Sequence, residues 1–94
     1  MTVGMMTLEI HLPLSRSLKD KRQSLRSLQE RVRNRLNVAV AEVGGQDLWQ
    51  RATLVFVTVA TLKDTVDKTF DSALAEAERI IPGDILSAER EYLG

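Results

Sequence analysis

Hydrophobic positions recur along the chain with two different periods. From Val3 to Leu12, Met6, Leu8, Ile10 and Leu12 alternate with Met5, Thr7, Glu9 and His11. A period of two sends the two sets to opposite sides of an extended strand. The segment predicts a strand with one apolar face, ended by Pro13. In the next segment the period changes. Leu18, Leu25, Leu28, Val32 and Leu36 are spaced by seven, three, four and four residues. At about 100° per residue they fall on one narrow stripe, which predicts an amphipathic helix over Ser17 to Leu36. Ser17 suits the N-cap, with Asp20 able to complete a capping box. Asn37 is expected to close the helix in left-handed conformation.

Val38 to Val43 is a short β-rich run broken by Gly44 and Gly45. Arg51 to Thr61 is the most apolar β-rich run, which suggests a central strand covered at least partly on both faces. The short glycine-containing loop between the two runs predicts a hairpin. Thr61 is expected to cap a second helix, with Asp64 three residues on. Leu62, Val66, Phe70, Ala73, Leu74, Ala77 and Ile81 should form its buried face, and Pro82-Gly83 should stop it. Ile85 to Leu93 reads as a last strand whose charges suit a sheet edge.

The order βαββαβ predicts an α+β ferredoxin-like split βαβ sandwich in one domain, residues 1–94. Right-handed crossovers give a four-stranded antiparallel sheet of order 4-1-3-2, with both helices on one face. The other face is left open. The side carrying Leu54 and Phe56 is taken as a candidate oligomer surface.

Charge changes this picture where composition alone does not. The chain carries 13 basic and 13 acidic residues. Between Arg16 and Arg35 eight basic residues stand against two acidic ones, so this segment holds +6 and the remainder −6. A neutral total therefore hides a dipolar protein. Lys19, Arg22, Arg26 and Arg33 line up beside the apolar stripe, a row suited to tracking a phosphate backbone. The alternative is a solvated face, salt-bridged to acidic neighbours. The second helix is acidic on its exposed side, through Asp64, Asp67, Asp71, Glu76 and Glu78.

Three further constellations carry chemistry. Ser15, Arg16 and Ser17 converge with free backbone N–H groups at the start of the first helix, a candidate anion site. The glycine cradle that acyl-phosphate hydrolysis would need is missing from PLSRSL. Lys21 falls inside the apolar stripe, where an ammonium is costly unless it snorkels or pairs. The candidate partners are Glu42 and Asp47. Trp49, the sole tryptophan, is expected to fold back over the hairpin, the alternative being an exposed partner contact.

Other classes are disfavoured. Cysteine is absent, which removes disulfides, thiolate catalysis and cysteine metal sites. His11 is the only histidine and has no HxH or HxxxH partner, so it reads as a surface residue and no metal or other cofactor is expected. Base reading on the sheet would need aromatics on the first and third strands, where only Phe56 is available. No Ser/His/Asp order, Walker loop, GxGxxG or paired-carboxylate spacing is present, and an enzyme is not expected. The N-terminal segment has no basic n-region and is not read as a signal peptide, and no run of about 20 apolar residues suggests a membrane span.

Three blocks taken in order, SLKDKR at Ser17 to Arg22, NVAVAEV at Asn37 to Val43 and QDLWQRA at Gln46 to Ala52, resemble the YlxP-like family of small bacterial proteins of unknown function. The resemblance covers nearly the whole chain. It implies a ferredoxin-like fold and a bacterial cytoplasmic protein whose gene often lies near genes for translation initiation and ribosome maturation. It implies no established activity and no catalytic residues. The expected function is a small non-enzymatic binding protein that uses its basic helix on RNA or a ribosomal particle. The alternative is an interaction or regulatory domain that forms a homodimer through its open sheet.

Overall fold

A computed structural model of the chain describes residues 1–45 and 48–94. Six elements follow one another: β1 (Thr2–His11), α1 (Leu18–Arg35), β2 (Ala39–Gly44), β3 (Arg51–Ala60), α2 (Lys63–Ile80) and β4 (Asp84–Leu93). The strands form one antiparallel sheet of order β2-β3-β1-β4. This is the α+β ferredoxin-like arrangement that the alternating patterns predict.

Alternation in β1 sets the layers. Met6, Leu8 and Ile10 are buried toward the helices and pair across the ladder with Phe56, Leu54 and Ala52. From above, α1 supplies Leu25, Leu28 and Val32, and α2 supplies Val66, Phe70, Ala73 and Ala77. Gly4 lets α2 come close, because a Cβ there would lie 2.4 Å from Val66 Cγ1 and 2.8 Å from Phe70 Cε2.

These pairings correct one expectation. Leu54 and Phe56 are buried in the core, not displayed on the open face. The open face of β3 carries Val55, Val57 and Val59, opposite Thr7, Met5 and Val3 of β1. β3 is a central strand, but Val57 and Val59 remain exposed, so its cover is one-sided. No Phe, Tyr or Trp of β1 or β3 reaches the open face.

Two helix ends differ from expectation. Ser17 does cap α1, its hydroxyl accepting from the Asp20 N–H at 3.1 Å. Asn37 is not left-handed, since no non-glycine residue among those described has positive φ. Leu36 instead closes α1 in extended conformation, its N–H donating to the Val32 carbonyl. Leu62, not Thr61, caps α2, without a side-chain hydrogen bond, and it is exposed and outside the buried face. Both strands flanking the central pair carry a bulge, at Glu42/Gly44 in β2 and opposite Glu9/Ile10 in β4. Bulges twist sheet edges away from further pairing.

Candidate functional site

The first turn of α1 is already supplied with an acid. Asp20 Oδ2 accepts from the Arg16 N–H at 3.1 Å, and Ser17 takes the Asp20 N–H. Ser15 is buried, its hydroxyl donating to the Ser17 carbonyl at 3.3 Å. The candidate anion site thus holds Ser15, Arg16 and Ser17 near one another, but with a carboxylate among them. That charge opposes a second anion.

Beyond its cap, α1 has a basic flank on each side of its buried stripe. The flank beside α2 is neutralised. Glu76 receives Arg31 Nε at 2.7 Å, with Arg35 Nη1 at 3.8 Å and Arg79 also on it. Burial pushes the Glu76 carboxyl upward, but the Arg79 and Arg31 guanidinium groups outweigh it and hold the group below its ordinary value. The flank beside β2 carries the sequence-predicted row. Lys19, Arg22, Arg26 and Arg33 all lie exposed on it. Arg22, Arg26 and Arg33 line one groove with Leu25, Gln29, Glu30 and Glu42. Among the described residues, no ion pair engages Lys19, Arg22 or Arg26. Arg33 is partly committed, because its Nη2 donates to the Val40 carbonyl of the edge strand at 3.0 Å.

Lys21 lies between two of these cations in sequence and does a different job. Its side chain is 1% exposed, so it does not snorkel into water. The ammonium meets Glu42 Oε2 at 2.9 Å and donates to the Gly45 carbonyl at 2.6 Å and the Arg51 carbonyl at 3.3 Å. One buried cation therefore ties α1 to both ends of the β2–β3 connection. The other candidate partner, Asp47, lies outside the described residues.

That connection carries Trp49, which is 51% exposed, half-buried, between an indole folded back over the hairpin and a fully exposed contact. Gln50 fastens the loop, its Nε2 donating to the Pro13 and Ser15 carbonyls at 3.3 Å each.

Acidic α2 is engaged mainly with β4. Asp67 accepts from Tyr92 Oη, from Lys63 Nζ at 3.0 Å and from Arg90 Nη1 at 3.2 Å, while Asp71 takes Arg90 Nη2 at 2.7 Å. The Tyr92 hydroxyl, then Lys63, hold the Asp67 carboxyl below its ordinary value. His11 shares the open sheet face with Glu9, which accepts from Thr53, and its Nδ1 lies 3.7 Å from Asp84. Among the described residues, no three His, Asp or Glu side chains group as metal ligands would. Among them, too, no helix is long and apolar enough to cross a membrane.

Sequence reasoning missed the Glu76 cluster, the Arg33–Val40 bond and the Asp67–Arg90–Tyr92 seam. Each joins residues from different elements, and no spacing within one element signals it.

Fold and surface together define a small α+β ferredoxin-like protein with one basic flank left open to solvent and one helix-free sheet face. The chain belongs to the DUF503 family, described as a protein of unknown function, whose model matches residues 3–90. It is 37% identical over 59 residues to the uncharacterised protein YlxP of Bacillus subtilis strain 168, a match covering 63% of this chain and 64% of that protein. Among solved structures it is similar to the structural-genomics protein YJCS, with a TM-score of 0.64 at 7% identity, covering 98% of this chain and 99% of the other. It is also similar to a point mutant of SnoaB, a cofactor-independent oxygenase from Streptomyces nogalater, with a TM-score of 0.56 at 8% identity, covering 99% of this chain and 91% of the other. At such identities the likeness is one of fold.

Proposed function

We propose that this chain is a non-catalytic binding protein whose α1 flank beside β2 contacts the phosphate backbone of RNA, free or within a ribosomal particle. The observation that carries the reading is an asymmetry. Arg31 and Arg35 on one flank are neutralised by Glu76. Lys19, Arg22 and Arg26 on the other face solvent without an ion pair among the described residues. Leaving such cations side by side is unfavourable to the isolated fold and favourable to an anionic ligand. Nothing in the row offers bidentate recognition of a base edge, so sequence preference should be weak.

A salt titration of RNA or ribosomal-subunit binding tests this. Three neutralised phosphates on a single strand give a log–log slope of about −2, and a fourth through Arg33 moves it toward about −3. Arg22→Glu with Arg26→Glu should abolish binding and leave the domain folded, because both side chains are exposed. Wild-type protein that binds no RNA at low salt, or a double variant that binds equally well, rejects the reading.

A second reading rests on the helix-free face. Val3, Met5, Val57, Val59 and Leu93 lie together on it, and Val59 is 46% exposed. Such a patch suits a second copy of the chain. Sedimentation of wild type against Val57→Glu with Val59→Glu tests it. A wild-type monomer at high concentration rejects it.

A further inference from the structure

We propose that Trp49, with Leu48 beside it, is a stacking platform for an unpaired base, so that the RNA taken by α1 is single-stranded. This rests on the reading of α1 given above. Leu48 is 55% exposed and Trp49 51%, and with Gln50 and exposed Arg51 they line one shallow recess. A tryptophan this open loses much of the burial that a core position would give it. A planar face with an exposed arginine beside it is the pairing that holds unstacked bases and their phosphates.

The platform is fixed relative to the cations. The Leu12 N–H donates to the Gln50 carbonyl at 2.9 Å, and the Gln50 amide holds the carbonyls of Pro13 and Ser15, just before α1. The Leu48 N–H donates to the Gly45 carbonyl at 2.9 Å. Lys21 then grips the carbonyls of Gly45 and Arg51, on either side of the platform. Lys21 lies in the buried stripe of the same helix whose exposed flank carries Lys19 and Arg22, so the loop is fastened to the helix proposed to bind phosphate. These bonds tie the backbone on both sides of Trp49 to the start of α1, so part of the ordering precedes binding. A duplex keeps its base faces stacked inside and offers the indole only those of its terminal pairs. The one acid of the first turn, Asp20, is held by the Arg16 N–H.

Trp49 is the only tryptophan, so its emission reports on the platform directly. The test compares an unstructured RNA of about ten nucleotides, within the range of site sizes for such surfaces, with a blunt RNA duplex carrying as many phosphates. The single strand should quench Trp49 emission. Trp49→Ala should weaken its binding about five- to 150-fold, the usual loss of one stacked base, and leave duplex binding unchanged. Trp49→Phe should retain most of the affinity. RNA that binds with unchanged emission, and equally well to Trp49→Ala, overturns the platform and leaves the α1 reading standing. Quenching by an added protein partner but not by RNA overturns it in favour of a protein contact. RNA that binds neither wild type nor variant at low salt overturns both. Circular dichroism of Trp49→Ala confirms that the fold is intact.

Discussion

Removing Glu42 should destabilise the protein more than removing Lys21, although the two form one ion pair. The asymmetry comes from burial. The Lys21 side chain is 1% exposed and that of Glu42 19%. Glu42→Ala leaves an ammonium in the apolar stripe between Leu18, Leu25 and Leu28, with the Gly45 and Arg51 carbonyls as acceptors but without the Glu42 counter-charge. Carbonyl dipoles satisfy its N–H groups without neutralising it. Removing the carboxylate from a buried pair costs about 3–5 kcal/mol. Lys21→Met keeps a stem of similar shape in the stripe and removes the charge. It takes the Lys21 counter-charge from Glu42, whose side chain is the more exposed of the two, and takes one donor from two loop carbonyls, at a cost of about 1–2 kcal/mol. The expected gap between the variants is about 2 kcal/mol, large against the ~5–15 kcal/mol that hold a domain folded. With a urea slope of about 1–3 kcal/mol per molar, the unfolding midpoints should separate by about 1 M. A Lys21→Met protein that unfolds at the same urea concentration as Glu42→Ala, or earlier, would refute the argument.

Three smaller perturbations follow from other contacts. Gly4→Ala forces a Cβ to within 2.4 Å of Val66 Cγ1 and 2.8 Å of Phe70 Cε2, and should cost about 1–3 kcal/mol by thermal unfolding through displacement of α2; an unchanged midpoint would show that α2 yields freely. Arg33→Ala should lower stability by about 1 kcal/mol through the lost bond to the Val40 carbonyl, yet shift the RNA salt slope less than Arg22→Ala does. Asp67, through Tyr92 and then Lys63, and Glu76, through Arg79 and Arg31 against the opposing effect of burial, have folded-state values below their ordinary ones. Their contribution is therefore present above about pH 4, where the unfolded groups are ionised, and lost as pH falls through the lower folded values. Asp67→Asn with Glu76→Gln should flatten the acid limb of the stability curve, and an unchanged limb would place acid sensitivity elsewhere.

The parts of the fold legible in the sequence were those written in one-dimensional periods. Alternation at Met6, Leu8 and Ile10 and the seven-three-four-four spacing of α1 are properties of single segments. The layer assignment of β3 was not. Arg51 to Thr61 is apolar at both parities, so its own pattern does not say whether Leu54 and Phe56 or Val55 and Val57 face the helices. The ladder decides, because Leu8 of β1, with an unambiguous parity, lies opposite Leu54. Lys21 shows the same division. Its place in the stripe was readable from spacing, and so was a carboxylate partner. The two backbone acceptors were not, because Gly45 and Arg51 come to it only through the hairpin. At the candidate site, the row of cations was visible as a period, but which cations α2 neutralises depended on the packing of two helices. Glu76 reaches Arg31 and Arg35 across that packing and leaves Lys19 and Arg22 alone.

The two surfaces lie on opposite sides of the sheet, and this bears on how the two functional readings relate. Both helices cover one face, carried on Leu8, Leu54 and Phe56, while Val3, Met5 and Val57 occupy the other. A dimer built on the open face would thus bury none of Lys19, Arg22 or Arg26, and would present two α1 helices outward. Two such sites on one RNA raise the effective concentration of the second contact without a new interaction. The open-face double variant then separates the cases. If dimerisation serves RNA binding, Val57→Glu with Val59→Glu should weaken binding to a long RNA that spans both sites and leave binding to a short one unchanged. If the dimer is an end in itself, Arg22→Glu with Arg26→Glu should leave sedimentation and every property of the assembled protein untouched. A long RNA bound equally well by wild type and the open-face variant would break the link between the faces.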